Sequence, residues 1–414
     1  MNREENGIKS RSAVDRSRIA VSEVNPYSSP EAVQMGALPK KGSVDIPLLL
    51  ITSALVLFGC VMIYSASYVF AEQHHDESTY FIARHLVFLL LSVAFTAVVV
   101  KFCTPRFWRD FSYILFGISI VLLLLVMTPL GTDLNSGAKR WIDLGIFTIQ
   151  PSEIGKLALV MSLARFMSDH EKQVMSQHRF GGDFRYGVLY PGMMIATIGI
   201  FVALEKHVSG LLIIGMIGIA VMFLGGTRMR WILGIGGVVV AAGLLLIALY
   251  PHALARVDTW INIEDADPLG SAWQTLQGLM AIGSGGLFGT GLGNSLQKYG
   301  YVSQPQNDFI FTIVCEEFGF IGTILVIGLF AAFVFRGFHI ARHAPDKCSA
   351  LIAYGLTFKV ALQVILNIAV VTNTMPNTGI SLPFFSYGGT SLMLQIFEVG
   401  ILLSISRYSS HQKI

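Results

Sequence analysis

The residues best suited to chemistry are three acids, Glu264, Asp265 and Asp267, in a polar segment between two long apolar runs. This segment spans residues 251–308, and connections of that length are usually functional. Asp267 precedes Pro268, which favours extended backbone over helix at the aspartate. A carboxylate held at such a turn can accept a proton from an attacking hydroxyl as a general base. On spacing alone, however, the three acids are more typical of a solvated loop.

A cationic pair, Lys139 and Arg140, stands beside Trp141 in another polar connection, and Arg256 lies near the start of the acidic segment. Such cations bind phosphate or pyrophosphate, and a guanidinium is suited to two parallel hydrogen bonds. Basic residues beside a tryptophan are equally typical of an anchor in the lipid headgroups. The residues alone leave both interpretations open.

Several charged residues fall inside apolar runs, where an ionisable group is costly and marks a candidate functional site. Glu153 and Lys156 are three residues apart, so they share one helical face and can pair. Structural ion pairs are the favoured interpretation, although a proton relay would use the same residue types. The other charges of this kind are Glu316, Glu317, Lys359 and Glu398.

Other common sites find little support in the sequence. Six glycines between residues 283 and 293 lack the Gly-Lys-Ser/Thr that a nucleotide-phosphate loop requires, so we expect them to permit close backbone packing or re-entry into the membrane interface. The four cysteines lack metal-ligand spacing, and we expect them to pack as free thiols. The net charge of +3 is explained by orientation signals and does not indicate nucleic-acid binding.

These candidate residues must be positioned by membrane helices. The chain of 414 residues is 53% hydrophobic and 13% charged, about half the charge of a typical soluble domain, with a mean hydropathy of +0.62. Apolar runs of about 20 residues cross a bilayer as helices, so we predict an all-α polytopic membrane protein with ten spans. They lie at about 46–70, 82–100, 112–130, 150–168, 187–204, 208–225, 231–250, 309–335, 349–372 and 383–406.

The lysines and arginines predict the orientation of these spans. With the N-terminus inside, 21 of the 29 basic residues fall in inside connections and five in outside ones. Since cytoplasmic connections are enriched in Lys and Arg, we expect both termini in the cytoplasm. Residues 251–308 then form an extracytoplasmic loop between the seventh and eighth spans. Residues 1–45 are predicted to be a disordered basic tail, 46–407 one transmembrane domain, and 408–414 a short cytoplasmic tail.

Six motifs together resemble the SEDS family (shape, elongation, division and sporulation), whose members include FtsW and RodA. The resemblance spans residues 46–407, and its GNS-x-QK pattern at 293–298 is closer to the FtsW and sporulation branch. The motifs are YSAS at 64–67, GAKRWI at 137–142 with QPSE at 150–153, DPLG at 267–270, GLGNS at 291–295, NDFIF at 307–311, and LPFFSYGGTS at 382–391.

The resemblance implies a peptidoglycan glycosyltransferase of the bacterial cytoplasmic membrane that polymerises lipid II at the outer face, in division or sporulation. It matches the essential loop acid to Asp267, which would deprotonate the 4-hydroxyl of one disaccharide as that oxygen attacks the anomeric carbon of another. Glu153, Lys156, Glu316 and Glu317 would support the site from within the membrane. The groups expected to bind substrate or pyrophosphate are Lys139, Arg140, Trp141, Arg256, Ser386 and Tyr387.

Partners and cofactors also follow from the resemblance. We expect a class B penicillin-binding protein, a single-span transpeptidase, as the partner, together with other division or sporulation proteins, membrane lipids and no nucleic acid. No tightly bound cofactor is expected, although a divalent cation such as Mg²⁺ or Mn²⁺ would suit the leaving pyrophosphate. The alternatives are a lipid II flippase or other lipid-linked transporter, and a non-catalytic scaffold for a transpeptidase.

One departure from the family pattern concerns a short corner after the fifth predicted span. This chain reads Glu205-Lys206-His207 where members commonly carry Gln-Pro-Asp. The usual aspartate is lost, so the sequence leaves the role of this corner open.

Overall fold

The computed structural model of the protein describes residues 41–133, 138–145, 147–176, 182–249, 251–263, 265, 267, 270 and 272–409. Most of the two predicted tails, and Glu264 of the acidic run, lie outside the described residues. The part of the chain described is built mainly from α-helices, as the sequence predicts, with one small β-sheet.

Some of the helices begin where the sequence supplies a side-chain acceptor for their first amides. The Asp45 carboxylate accepts a hydrogen bond from the Leu48 amide at 2.9 Å, and Asp346 caps a later helix through the Ser349 amide at 3.0 Å. The helices of the first part are α1 (Ile46–His75), α2 (Tyr80–Phe102), α3 (Pro105–Val126), α4 (Pro151–Asp169), α5 (Glu171–Val174), α6 (Tyr190–Leu204) and α7 (Val208–Gly225).

A π-helical segment, Arg185–Leu189, leads into α6. The helices of the second part are α8 (Met229–Leu249), α9 (Pro251–Ile261), α10 (Trp273–Ser284), α11 (Ile310–Arg342), α12 (Lys347–Val371) and α13 (Gly389–Ser406). The predicted loop 251–308 therefore contains two helices. In α9, Leu254, Val257 and Ile261 recur at helical spacing, so the sequence carries a signal for this helix.

Eight helices among the described residues are long and apolar enough to cross a membrane, against ten predicted spans. The other two predicted spans correspond to α4 and α8. Most side chains of α4 are buried against α3, α7 and α12, so α4 faces protein and tolerates charges that lipid would not. The apolar part of α8, Met229–Leu245, is shorter than the other eight.

A three-stranded antiparallel sheet connects α3 to α4. Its strands are β1 (Gly131–Thr132), β2 (Trp141–Asp143) and β3 (Thr148–Ile149), in the order β1-β2-β3. Strands of two or three residues are too short for an alternating pattern. The sequence analysis therefore missed the sheet, which fixes the backbone on which Arg140 and Trp141 stand.

One end of the bundle joins segments that the charge count predicts to be cytoplasmic. Arg336, near the end of α11, binds both carboxylate oxygens of Asp45 at the start of α1. Arg407, after α13, donates to the Val100 carbonyl near the end of α2 at 2.8 Å. The starts and ends of these helices meet as alternating spans require, while their side of the membrane remains a prediction.

Helix α11 is interrupted by a kink at Gly319, where φ is +63° and ψ is −162°. The glycine-rich segment 286–291 lies against this break. The Thr290 and Gly291 amides donate to the Glu316 and Glu317 carbonyls, and the Phe320 amide donates to the Gly286 carbonyl at 2.8 Å. The predicted close backbone packing is found at Gly285 and Gly289, where a built Cβ would meet the backbone of Cys315 and Glu317, but not at Gly283, Gly286 or Gly293, which face open space.

Candidate active site

Asp267 lies at a turn that leads directly into α10. Its carbonyl oxygen accepts hydrogen bonds from the amides of Gly270 and Ala272, each at 3.2 Å, and α10 begins at Trp273. The side chain of Asp267 is exposed, and its carboxylate lies over the position where a side chain at Gly270 would start. The turn therefore fixes the backbone of the aspartate while its carboxylate faces solvent.

Close packing against α11 holds α10 in place. Thr275 and Gln277 are buried, and a Cβ built at Gly278 would lie 2.8 Å from the ring of Phe309. No side chain larger than hydrogen fits at Gly278 without movement of Phe309. The helix that follows Asp267 is thus anchored to a membrane-spanning helix.

Residues 373–377, which follow α12, bridge α10 and α9 through Asn377. Its amide nitrogen donates to the Gln274 side-chain oxygen at 3.4 Å, and its carbonyl accepts from Arg256 at 3.4 Å. Trp260 of α9 also donates to the Asn373 carbonyl at 2.9 Å. These bonds link the first turn of α10, the cation of α9 and residues 373–377 in one region.

Arg140 joins the same region from the sheet. Its Nη2 donates to the Lys206 carbonyl at 2.9 Å, and its Nε lies 3.5 Å from the Glu205 carbonyl. Burial and the nearby positive charge of Arg256 lower the pKa of Arg140, and the charge of Glu205 opposes them. Hydrogen bonds thus place Arg140 beside the corner 205–207 and Arg256 beside residues 373–377.

Lys139 takes a different direction from its neighbour. Its exposed ammonium approaches the Thr128 carbonyl at 3.5 Å, and the side chain lines a shallow cavity of about 580 Å³ together with residues 129–133, Asp143 and Gly145. Trp141 pairs with Thr132 in the sheet and is half-buried. The two adjacent cations therefore separate, and Arg140 is the one that approaches Arg256.

Ser386 and Tyr387 form part of a tight turn before α13. The Ser386 hydroxyl accepts from the Leu382 amide at 2.8 Å, and the Tyr387 amide donates to the Gln306 carbonyl at 2.8 Å. The Tyr387 ring packs edge-on against Phe81 at 4.9 Å. Burial raises the pKa of Tyr387, and the neighbouring Arg84 opposes this rise. Both residues hold the turn, and their contact with substrate stays a prediction.

Four charges meet in the membrane interior and form what we term the charge quartet: Glu153, Lys156, Lys359 and Glu398. Lys156 binds Glu153 at 2.5 Å, while Lys359 binds Glu398 at 2.5 Å and approaches Glu153 at 3.7 Å. All four side chains are buried and their formal charges cancel. The predicted structural ion pairing is confirmed and extended to a shared network.

Glu316 and Glu317 bind the end of the 251–308 segment. Glu316 accepts from the Leu296 amide at 2.8 Å and from the Ser295 hydroxyl. Glu317 accepts from Lys298 at 2.9 Å and from Ser65 at 2.7 Å, and neither partner of the Lys298–Glu317 pair is exposed. Lys298 is one of the five basic residues that the sequence places in outside connections, and the structure makes it a buried ion-pair partner.

A divalent cation at this site stays a prediction. In the described part of the chain, no group of three or more His, Cys, Asp or Glu side chains is placed to hold a metal ion. We therefore derive no step through Mg²⁺ or Mn²⁺. The four cysteines are free, as the sequence predicts.

Sequence reasoning missed Asn377, Trp260 and Glu205. The two bonds of Asn377 reach partners more than 100 residues away in sequence, and Trp260 binds a backbone carbonyl. Neither contact leaves a local pattern. Glu205 did carry a signal, because it replaces a neutral residue of the family pattern beside Arg140's hydrogen-bond partner Lys206.

Comparison with known proteins identifies the family. The family of cell cycle proteins that comprises FtsW, RodA and SpoVE matches residues 46–411. The chain belongs to this FtsW/RodA/SpoVE family. It is a multi-pass protein of the cytoplasmic membrane, as predicted.

Individual relatives refine this assignment. Stage V sporulation protein E of Bacillus subtilis is 40% identical over 90% of this chain and 99% of its own length. The probable peptidoglycan glycosyltransferase FtsW of Trichlorobacter lovleyi is 37% identical over 87% and 93%. The predicted likeness to the FtsW and sporulation branch agrees with these relatives.

Two solved structures share the fold. The crystal structure of the rod shape determining protein RodA of Thermus thermophilus matches with a TM-score of 0.65 and 26% identity, covering 89% of this chain and 98% of RodA. A chain from a peptidoglycan synthase complex, whose structure concerns the coordination of polymerisation and crosslinking, matches with a TM-score of 0.72 and 27% identity, covering 88% and 98%.

Proposed function

We propose that this FtsW/RodA/SpoVE-family protein is a peptidoglycan glycosyltransferase that polymerises lipid II, with Asp267 as the catalytic base. The observation that carries the proposal is the junction at Asn377, which joins the Arg256 helix to the helix that Asp267 precedes. An exposed carboxylate and two cations thus belong to connected segments. Relatives named peptidoglycan glycosyltransferases support the same activity.

The reaction forms one glycosidic bond and breaks one bond to pyrophosphate. The 4-hydroxyl oxygen of one disaccharide attacks the anomeric carbon of a second, and its proton passes to the Asp267 carboxylate. The bond from the anomeric carbon to the pyrophosphate oxygen breaks, and its electron pair leaves with polyprenyl pyrophosphate. The turn at Gly270 and Ala272 holds Asp267 so that little reorganisation is needed.

The leaving group gains negative charge as that bond breaks. Arg256 is close enough to Arg140 for its positive charge to lower the pKa of Arg140, an arrangement that favours an anion between them. Arg140 is held by two carbonyls of the corner 205–207, so its guanidinium is oriented before the pyrophosphate arrives. We assign these two arginines, rather than Lys139, to the pyrophosphate.

Partner and ion follow from the same proposal. A class B penicillin-binding protein would cross-link the new glycan, and the likeness to a chain of a peptidoglycan synthase complex supports such a partner. Since the described residues include no metal-binding group, we propose that any Mg²⁺ or Mn²⁺ enters with the pyrophosphate. Whether division or sporulation uses the protein depends on that partner.

The transporter alternative is less well supported by the arrangement of charges. Translocation of a headgroup needs intramembrane charges that can bind it, whereas the charge quartet is paired internally and Glu316 is bound to Ser295 and Leu296. These contacts favour a structural role. A non-catalytic scaffold would keep its function when the Asp267 carboxylate is removed, whereas the enzyme would lose polymerisation.

The decisive experiment is lipid II polymerisation in detergent by the full-length protein with its transpeptidase partner. We expect Asp267→Asn to abolish glycan chains while insertion and partner binding are retained. Asp265→Asn is the matched control, because Asp265 is an exposed acid of the same loop, and it should polymerise normally. Undiminished glycan chains from the Asp267→Asn protein would refute the catalytic assignment.

A further inference from the structure

Glu205 is a buried acid whose side chain has no partner. It follows the last residue of α6 and is 4% exposed, yet neither carboxylate oxygen has a hydrogen-bond partner among the described residues. Buried polar groups are nearly always satisfied, and an unsatisfied one calls for an explanation such as a missing ligand. The proposed function gives this carboxyl no role.

The surroundings of Glu205 point to the kind of ligand. Arg140 binds the carbonyl oxygens of Glu205 and Lys206 but forms no ion pair with the Glu205 carboxylate among the described residues. Lys206 adopts a left-handed backbone with φ of +53°, which is strained for a non-glycine residue and typical of functional sites. The corner thus orients Arg140 while leaving the adjacent carboxyl available.

The charged groups around Glu205 favour an anion over a cation. Arg140 faces it from the sheet, and Arg256 on α9 adds positive charge beside Arg140. His207 lies at the start of α7, and burial lowers its pKa to about 3, with Arg140 and Lys156 acting in the same direction and Glu153 opposing. A metal ion at Glu205 would therefore meet two guanidinium charges and a neutral imidazole.

We propose that the Glu205 carboxyl, in its protonated form, donates a hydrogen bond to a phosphate oxygen of a pyrophosphate ester bound by Arg140 and Arg256. The inference deepens the proposed function and rests on its pyrophosphate site. Arg256 is exposed, Arg140 is half-buried and Glu205 is buried. The two arginines neutralise the phosphate charge, and Glu205 is its innermost partner.

The protonation state agrees with this role. Burial raises the pKa of Glu205 to about 8, against the opposing charge of Arg140. The carboxyl is therefore a donor near neutral pH and becomes an anion above about pH 8. An anion would repel the phosphate, so binding of a pyrophosphate ester should weaken as pH rises through that value.

The test measures farnesyl pyrophosphate binding to detergent-purified, full-length Asp267→Asn protein, which removes turnover. Its affinity should fall about ten-fold between about pH 6.5 and about pH 9. Adding Glu205→Gln, which cannot ionise, should remove most of that fall. Glu72→Gln, the same change at an exposed acid on α1, should leave the pH dependence intact. Inorganic phosphate, tested in parallel, distinguishes a site for free phosphate from one that needs the ester.

Three results would overturn the inference: no binding of farnesyl pyrophosphate, a flat pH profile, or the same pH dependence with Glu205→Gln. If the Glu205→Gln variant fails to fold, the pH profile of the Asp267→Asn protein decides, because its affinity for farnesyl pyrophosphate must begin to fall near pH 8. Polymerisation lost in Asp267→Asn with flat binding would refute only the role of Glu205. Undiminished polymerisation by Asp267→Asn with pH-dependent binding would refute only the catalytic assignment.

Discussion

The carboxylate of Asp267 occupies the space that a side chain at Gly270 would need. A Cβ built at Gly270 would meet Oδ2 of Asp267 and lie 3.0 Å from its Cγ. The Gly270 amide also donates to the Asp267 carbonyl. Gly270 therefore positions Asp267 in two ways. Its amide binds the Asp267 carbonyl, and its lack of a side chain leaves room for the Asp267 carboxylate.

Gly270→Ala should displace the Asp267 carboxylate while the fold survives, because the clash involves the end of a flexible side chain. We expect roughly a 100-fold loss of lipid II polymerisation, since small displacements of a catalytic group cost about that much. The unfolding temperature should change little. Gly283→Ala, in the open part of α10, is the matched control and should polymerise normally. Equal activity of the two variants would contradict this relationship.

Arg140 and Lys139 should differ sharply although they are neighbours. Arg140→Ala removes the cation that approaches Arg256 and should lower polymerisation roughly 100-fold, as loss of one charge-stabilising donor does. Lys139→Ala should cost about ten times less, because its ammonium lies near the Thr128 carbonyl, just after α3, and not beside Arg256. Initial rates on lipid II give the comparison. The opposite ranking would return Lys139 to the pyrophosphate site.

The buried Lys298–Glu317 pair should be structural. Lys298→Met leaves the Glu317 carboxylate uncompensated, and loss of one partner of a buried pair costs about 3–5 kcal/mol of unfolding free energy. Removing both charges with Lys298→Met and Glu317→Leu should recover much of that loss. Denaturant unfolding in detergent measures the difference, with Lys101→Met at an exposed site as the control. A Lys298→Met protein as stable as the control would disprove the role.

Glu205 should also make unfolding pH-dependent without any ligand. Its pKa of about 8 in the folded protein lies above the value of about 4.3 in an unfolded chain, so the folded state binds more protons between these values. The free energy of unfolding should therefore fall as pH rises through this window and level off above it. Glu205→Gln removes this contribution. The variant should gain a few degrees over the parent between pH 6 and 8 in thermal unfolding, whereas parallel curves would contradict the prediction.

Much of the fold follows from the apolar runs, because the length of a bilayer-crossing helix is set by the bilayer itself. Eight of the ten predicted spans begin within about one turn of an observed helix, and the two predicted at 112 and 383 begin within about two turns. The pairing of Glu153 with Lys156 follows from their shared helical face. Glu153 and Lys156 lower the hydropathy of α4, and the helix tolerates them because both are paired within the charge quartet and do not face lipid.

The arrangement of the candidate site depends on contacts that leave no local pattern. Lys139 and Arg140 directly precede β2, and successive side chains of extended backbone point to opposite faces. Had the short sheet been recognised, their separation would have been predictable. The approach of Arg140 to the corner spans 65 residues, and no periodicity reports such a contact. Likewise, Lys298 is buried because the loop turns back on α11, a path that hydropathy does not describe.

The break at Gly319 couples segment 286–291 to helix α11 in local unfolding. Helix α11 lacks its own hydrogen bonds there, and segment 286–291 supplies replacements on both sides of the break. The segment cannot leave without exposing the helix backbone, and α11 cannot straighten without expelling the segment. Loop and helix therefore form one cooperative unit in local unfolding. A partner that pulls on the loop acts on a membrane-spanning helix as well.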